Sequence, residues 1–201
     1  MIPFAYVCTS CQMHFEFKHR SAEYYVGKVP MAAKVDSADL LPVPVRPAWC
    51  KDCNDLCISE DIASLRDMEN AYGAARRGLT VEYPFGTEFM DRAEAEKEVG
   101  KYLRWRMERR HAARVLCCGG SNFQFMDVAQ PLFKHADCEF GTIEPIHHIG
   151  SYNGPGPGVH SAANIPVYST EGELIGMLTW RKMGESTWCV DPTSYPPDAD
   201  D

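Results

Sequence analysis

Two Cys-x-x-Cys pairs, Cys8/Cys11 and Cys50/Cys53, carry the clearest chemical signal in the chain. A turn of this kind brings two sulfurs within one metal–sulfur bond of a common point. Two such turns complete a tetrahedral set of four sulfurs, the donor arrangement of a structural zinc ion. The four sulfurs are therefore expected to converge on one divalent ion. The competing interpretation is a set of buried free cysteines acting as small apolar side chains. Cys57 can replace one ligand, but its spacing from Cys53 and its position towards a following helix rank it second.

The first pair sits in Tyr6-x-Cys8-x-x-Cys11-x-x-x-Phe15-Glu16 and the second in Trp49-Cys50-x-x-Cys53. Over about residues 4–18 and 48–58 this resembles the zinc-ribbon family, a resemblance that implies a Zn2+ module and names no activity. The family usually places Gly after the second cysteine of each turn, where this chain has Gln12 and Asn54. Asn adopts the left-handed conformation more readily than Gln.

A degenerate, second ribbon-like segment follows: Cys117-Cys118-Gly119-Gly120, then His135-Ala136-Asp137-Cys138. A regular pair would need cysteine where Val115 stands. Cys118, His135 and Cys138 are expected ligands of a second zinc, with the fourth drawn from Cys117, His111, His147, His148 or Cys189. The alternative is a metal-free, packed remnant. With water in the fourth place, Asp137 or Glu139 would be placed to orient it. No metallohydrolase motif accompanies these residues, so no catalytic residue is assigned. The alternating prolines of the stretch over 153–158 lack the N–H donors a phosphate loop needs.

The elements that must position these residues read as α+β. An N-terminal zinc ribbon is expected over 1–58, two central helices as a connector over 59–114, a small C-terminal antiparallel β unit over 115–190, and a disordered acidic tail over 191–201. Residues 6–17 alternate as a hairpin does. Pro30, Pro42, Pro44 and Pro47 are expected to exclude helix and central strand from the insertion over 28–47. A helix is expected over 59–77, capped by Ser59 and closed by Gly78, and a second over 87–114, weakened at Gly100. Short strands are expected over 122–126, 142–147, 165–169 and 174–181, the last two joined by a turn at 170–173.

The net charge of −8 argues against broad attraction to nucleic acid or an anionic membrane. One local exception is the basic end of the second helix: Lys101, Arg104, Arg106, Arg109, Arg110 and Arg114. Dipole matching on a solvated helix explains it, and a face for nucleic acid or an acidic partner is the functional alternative. No apolar run approaches the roughly 18 residues of a membrane span. Nine cysteines without an evident export signal suggest reduced thiols in the cytoplasm. The function expected from these features is a cytoplasmic zinc-stabilised binding protein that recognises another protein: an inhibitor, an immunity-type protein, or a bacterial or viral accessory factor. A nucleic-acid-binding zinc-ribbon protein is the alternative, and a hydrolase using the incomplete second site the third class.

Overall fold

The computed structural model describes residues 5–17, 21–27, 35–82, 86–126, 133–146, 165–180 and 188–191. In chain order the strands and helices are β1 Ala5–Cys8, β2 His14–Glu16, β3 Ser21–Tyr25, β4 Leu40–Cys50, β5 Asp55–Glu60, α1 Leu65–Arg76, α2 Arg92–Glu108, β6 Phe123–Phe125, β7 Phe133–Lys134, β8 Thr142–Pro145, β9 Ile165–Tyr168, β10 Leu174–Trp180 and β11 Trp188–Asp191. The protein is α+β, as its patterning predicts. His147, His148, His160 and the stretch over 151–159 lie outside the described residues, as do the tail from 192 and the Cys189 side chain.

Two compact units are present, each built from three separated stretches. The first comprises Met1–Arg20, Val45–Glu60 and Ala113–Ala162. In it, β1 pairs antiparallel with β2 on one side and β8 on the other, and β8 pairs with β7. Period-two alternation buries Tyr6 and Cys8 on one face of β1. They join Trp49, Leu56, Met126 and Ile143 in one apolar cluster, with Phe15, Phe17 and Phe133 packed against it. Residues 45–50 of β4 pair with β5, and residues 48–50 also pair with β6.

The second unit comprises Ser21–Pro44, Asp61–Ala112 and Ala163–Asp201. Strands β9, β10 and β11 form an antiparallel meander, and the expected turn is present with Gly172 at φ 82°. The meander is extended by β3, which lies parallel to β9 and antiparallel to residues 40–44 of β4. Tyr24 is fully buried there, stacked on Tyr168 and edge-on to Trp105.

Strand β4 overturns the expectation that its prolines exclude a central strand. Pro44 directs its carbonyl to the Asp61 N–H (2.8 Å), on the side away from β3. Pro42 shares that side through the two-residue repeat. The missing N–H groups are therefore not needed by the β3 ladder, which is the condition under which a strand tolerates proline.

The first helix starts later than expected. Ser64, not Ser59, caps α1, its hydroxyl accepting from the Asp67 N–H. Ser59 is buried in β5, bridges to Val115 and donates its hydroxyl to the Arg114 carbonyl at 3.0 Å. Long-range pairing with β4 overrides the local helical signal at Ser59 and Glu60. Gly78 ends the helix at φ 72°, as a C′ glycine does.

Helix α2 is shorter than the expected 87–114. Asp91 caps it, accepting from the Glu94 N–H at 2.9 Å, while Thr87 closes the preceding loop by accepting from the Val81 N–H at 2.7 Å. The chain leaves the helix at Arg109, whose ψ is 130°. Gly100 acts as a packing residue: a Cβ there would lie 3.1 Å from Tyr72 Cε2 of α1.

Candidate metal centres

The β1–β2 hairpin turns at Cys8 and Cys11, and the β7–β8 hairpin turns at His135 and Cys138. Because β1 pairs with β8, with Cys8 opposite Ile143, the two turns face one another. Cys8 Sγ is 3.8 Å from Cys138 Sγ, and Cys11 Sγ is 3.4 Å from His135 Nδ1. The four donor atoms all lie within 4.8 Å of one another. The first turn is held by the Gln12 N–H on the Cys8 carbonyl (3.0 Å) and the Cys8 N–H on the Met13 carbonyl (2.9 Å). Gln12 takes the left-handed conformation at φ 60° despite its side chain. Gly141 admits the close approach, since a Cβ on it would lie 2.4 Å from Cys8 Sγ.

A second group forms where the β4–β5 turn meets the turn after Val115. Cys50 Sγ is 3.7 Å from Cys118 Sγ, and Cys53 Sγ is 3.9 Å from Cys117 Sγ. All four sulfurs again lie within 4.8 Å. The Cys53 N–H points at Cys50 Sγ (3.4 Å), and Asn54 is left-handed at φ 54°. Gly119 supplies the positive φ of the opposing turn, 71°. Asn122 donates to Asp52 across the mouth of the group at 3.0 Å.

These separations match a tetrahedral ion. With Zn–S of about 2.3 Å and Zn–N of about 2.0–2.1 Å, the tetrahedral edges are about 3.8 Å for sulfur–sulfur and about 3.5 Å for sulfur–nitrogen. Disulfide bonding requires about 2.0 Å and is excluded for these pairs. The first group offers three sulfurs and a ring nitrogen, the second four sulfurs, and both donor sets suit zinc. In the first, His135 keeps Nε2 towards Asp137, 3.9 Å away.

Electrostatics prepares one sulfur in each group. Burial pushes the Cys8 thiol up, but N–H donors of Cys11 and Ser10, with Cys11 and His135 side chains, outweigh it and hold Cys8 down at about 6. Cys50 is also lowered: burial opposes ionisation, and the N–H groups of Cys53 and Asp52 and the Cys118 and Cys53 side chains favour it. Cys138 is pushed up to about 11, first by its hydrogen bond with Cys11, then by burial and by Cys8. Packed thiols resist shared ionisation because like charges repel. A divalent cation removes that repulsion.

The expected grouping is corrected on two points. Cys8/Cys11 and Cys50/Cys53 do not converge on a common point; each pair meets a different partner turn. Cys118, His135 and Cys138 likewise do not form one site, since Cys118 belongs with Cys50 and the other two with Cys8. The reason is strand pairing: β1 selects β8, while the β4–β5 hairpin selects β6 and Val115. The second group is thus nested in sequence inside the first. Cys117, only one of several candidates by spacing, completes the set of four sulfurs. His111 is elsewhere engaged, its Nδ1 2.6 Å from the Glu171 carboxylate.

The basic residues differ in exposure and in partners. Lys101 donates to the Leu40 carbonyl (2.6 Å) and Arg106 to the Ala63 carbonyl (3.3 Å). Arg109 is buried over Trp105, donating to the carbonyls of His111, Thr170 and Ala112. Arg104 and Arg110 are exposed, and Arg114 is half-buried with its N–H on Glu60 Oε2 at 2.8 Å. Among the described residues no helix is long and apolar enough to cross a membrane. No protein-family model, curated protein or solved structure matches the chain, so the metal geometry stands as its own description.

Proposed function

We propose that this chain is a zinc-stabilised binding protein holding two Zn2+ ions, one on Cys8, Cys11, His135 and Cys138, the other on Cys50, Cys53, Cys117 and Cys118. The donor spacing carries this reading: two edges in each group, 3.4 to 3.9 Å, are those of a zinc tetrahedron, and every other edge is within 4.8 Å. Both donor sets are complete without water, the closed form that serves structure rather than hydrolysis. When bound, zinc supplies a redox-inert cross-link between turns far apart in sequence. The chain's own residues orient the sulfurs, hold them with N–H donors and seat them through Gly141 and Gly119.

Recognition of another protein is the action we assign to this scaffold. Phe140 is 80% exposed and Met13 47% exposed, each within two residues of a first-centre ligand. Large apolar side chains held on rigid turns are the anchors protein interfaces use. Nucleic-acid binding has weaker support, since Lys101, Arg106 and Arg109 direct donors to backbone carbonyls.

Metal analysis of the protein purified without added metal tests the first part. Two zinc ions per chain are expected, and loss of secondary structure on chelation; zinc-free folded protein would overturn the reading. For the second part, Phe140→Ser should keep both ions and lose the partner that the native chain retains. Equal retention by both would count against recognition through that turn.

A further inference from the structure

Of the cysteines whose side chains are described, only Cys57 lies outside both ligand sets. It is buried beside the second centre, in a cluster with Cys50 and Val115, and its Sγ donates to the Ala48 carbonyl at 3.4 Å. The register around it is antiparallel: Ser59 bridges Val115, and the Leu116 N–H donates to the Ile58 carbonyl at 2.8 Å. Cys57 and Cys117 flank that hydrogen bond, Cys57 preceding its acceptor on β5 and Cys117 following its donor in the turn. Their side chains are within hydrogen-bond reach of each other. Cys117 is exposed, whereas Cys57 is not. The first centre has no such spare thiol among the described cysteines.

We propose that the second centre is an oxidative modification site, in which a hydroperoxide oxidises Cys117 and Cys57 resolves it to a Cys57–Cys117 disulfide. The Cys117 thiolate attacks the peroxide oxygen, the O–O bond breaks, and the second oxygen leaves as hydroxide or alkoxide. This gives a sulfenic acid on Cys117. Cys57 sulfur then displaces the sulfenic oxygen, which departs as water with the Cys57 proton, and the S–S bond forms. The two sulfurs supply the two electrons that reduce the hydroperoxide. With Cys117 in the disulfide, only Cys50, Cys53 and Cys118 would remain to hold zinc at this centre, and a competing chelator would remove it more readily. The inference rests on the two-zinc reading.

The test treats the zinc-loaded full chain with hydrogen peroxide, follows chelator-accessible zinc, and maps disulfides by peptide mass spectrometry. One ion per chain should become accessible, together with a Cys57–Cys117 cross-linked peptide. Cys57→Ser should lose that peptide and slow the release at least several-fold. A Cys117–Cys118 or Cys50–Cys53 bridge in the native chain, or release of both ions at one rate, would overturn the inference. The native chain's peptide map decides the matter even if the variant fails to fold. Absence of two zinc ions before treatment would instead sink the parent reading.

Discussion

The ring of Trp49 lies flat on that of Phe133, with centroids 5.0 Å apart and planes 6° from parallel. Trp49 immediately precedes Cys50, and Phe133 stands two residues before His135. This stacked pair therefore joins a strand leading into one candidate metal group to a strand leading into the other.

Trp49→Ala should remove this contact and leave a cavity in the shared apolar cluster. A loss of about 3–5 kcal/mol is expected, the range for deleting a buried large aromatic. Urea denaturation of zinc-loaded protein, followed by far-ultraviolet circular dichroism, measures it. A loss below about 1 kcal/mol, well under that range, would show that the stack does not hold the hairpins.

Gly141→Ala should empty the first centre alone. The added methyl would sit 2.4 Å from Cys8 Sγ and 2.8 Å from Cys138 Cβ, atoms that cannot both retreat and still bind one ion. Zinc content should fall from two to one per chain. Gly120→Ala is the comparison: its closest neighbour, at 2.6 Å, is the Asp52 carboxylate, the end of a side chain that can turn away. It should keep more of its zinc.

Gln12→Gly should stabilise the first turn. A non-glycine residue at φ 60° carries left-handed strain of about 1–2 kcal/mol, partly offset by the flexibility glycine adds to the unfolded chain. A net gain below about 1 kcal/mol is expected by thermal unfolding. Asn54→Gly should gain less, because Asn already tolerates φ 54°.

Glu171 gives a pH-dependent contribution to the second unit. Burial works to raise its pKa, but the Arg110 N–H and the His111 side chain and N–H outweigh it, holding the carboxyl at about 2. A folded-state value below the ordinary one of 4.5 means that the stabilisation is present above about pH 4.5 and is lost as pH falls towards 2. Glu171→Gln should therefore narrow the stability gap between variant and native chain across that interval. The difference between the two acid-denaturation curves isolates it from thiolate protonation, which affects both chains alike. A gap that stays constant from about pH 5 to about pH 2.5 would contradict the assignment.

Local chemistry made much of this protein legible from its residues. The hairpin around Cys8 and Cys11, the Gly78 helix stop, the turn at Gly172 and the β6, β8, β9 and β10 strands follow from patterns spanning a few residues. The same holds for the Cys-x-x-Cys turns, where spacing alone brings two sulfurs together. Partnership between turns is a different kind of quantity. Cys8 meets Cys138 because β1 pairs with β8, and Cys50 meets Cys118 because β4, β5, β6 and Val115 align, contacts across 130 and 68 residues. Strand registry, burial of the Tyr6–Trp49–Ile143 cluster and the turning of Pro44 away from β3 are collective outcomes of packing, and no local spacing encodes them. The residues determined that turns bearing candidate metal ligands would exist; only the tertiary structure decided which of them come together.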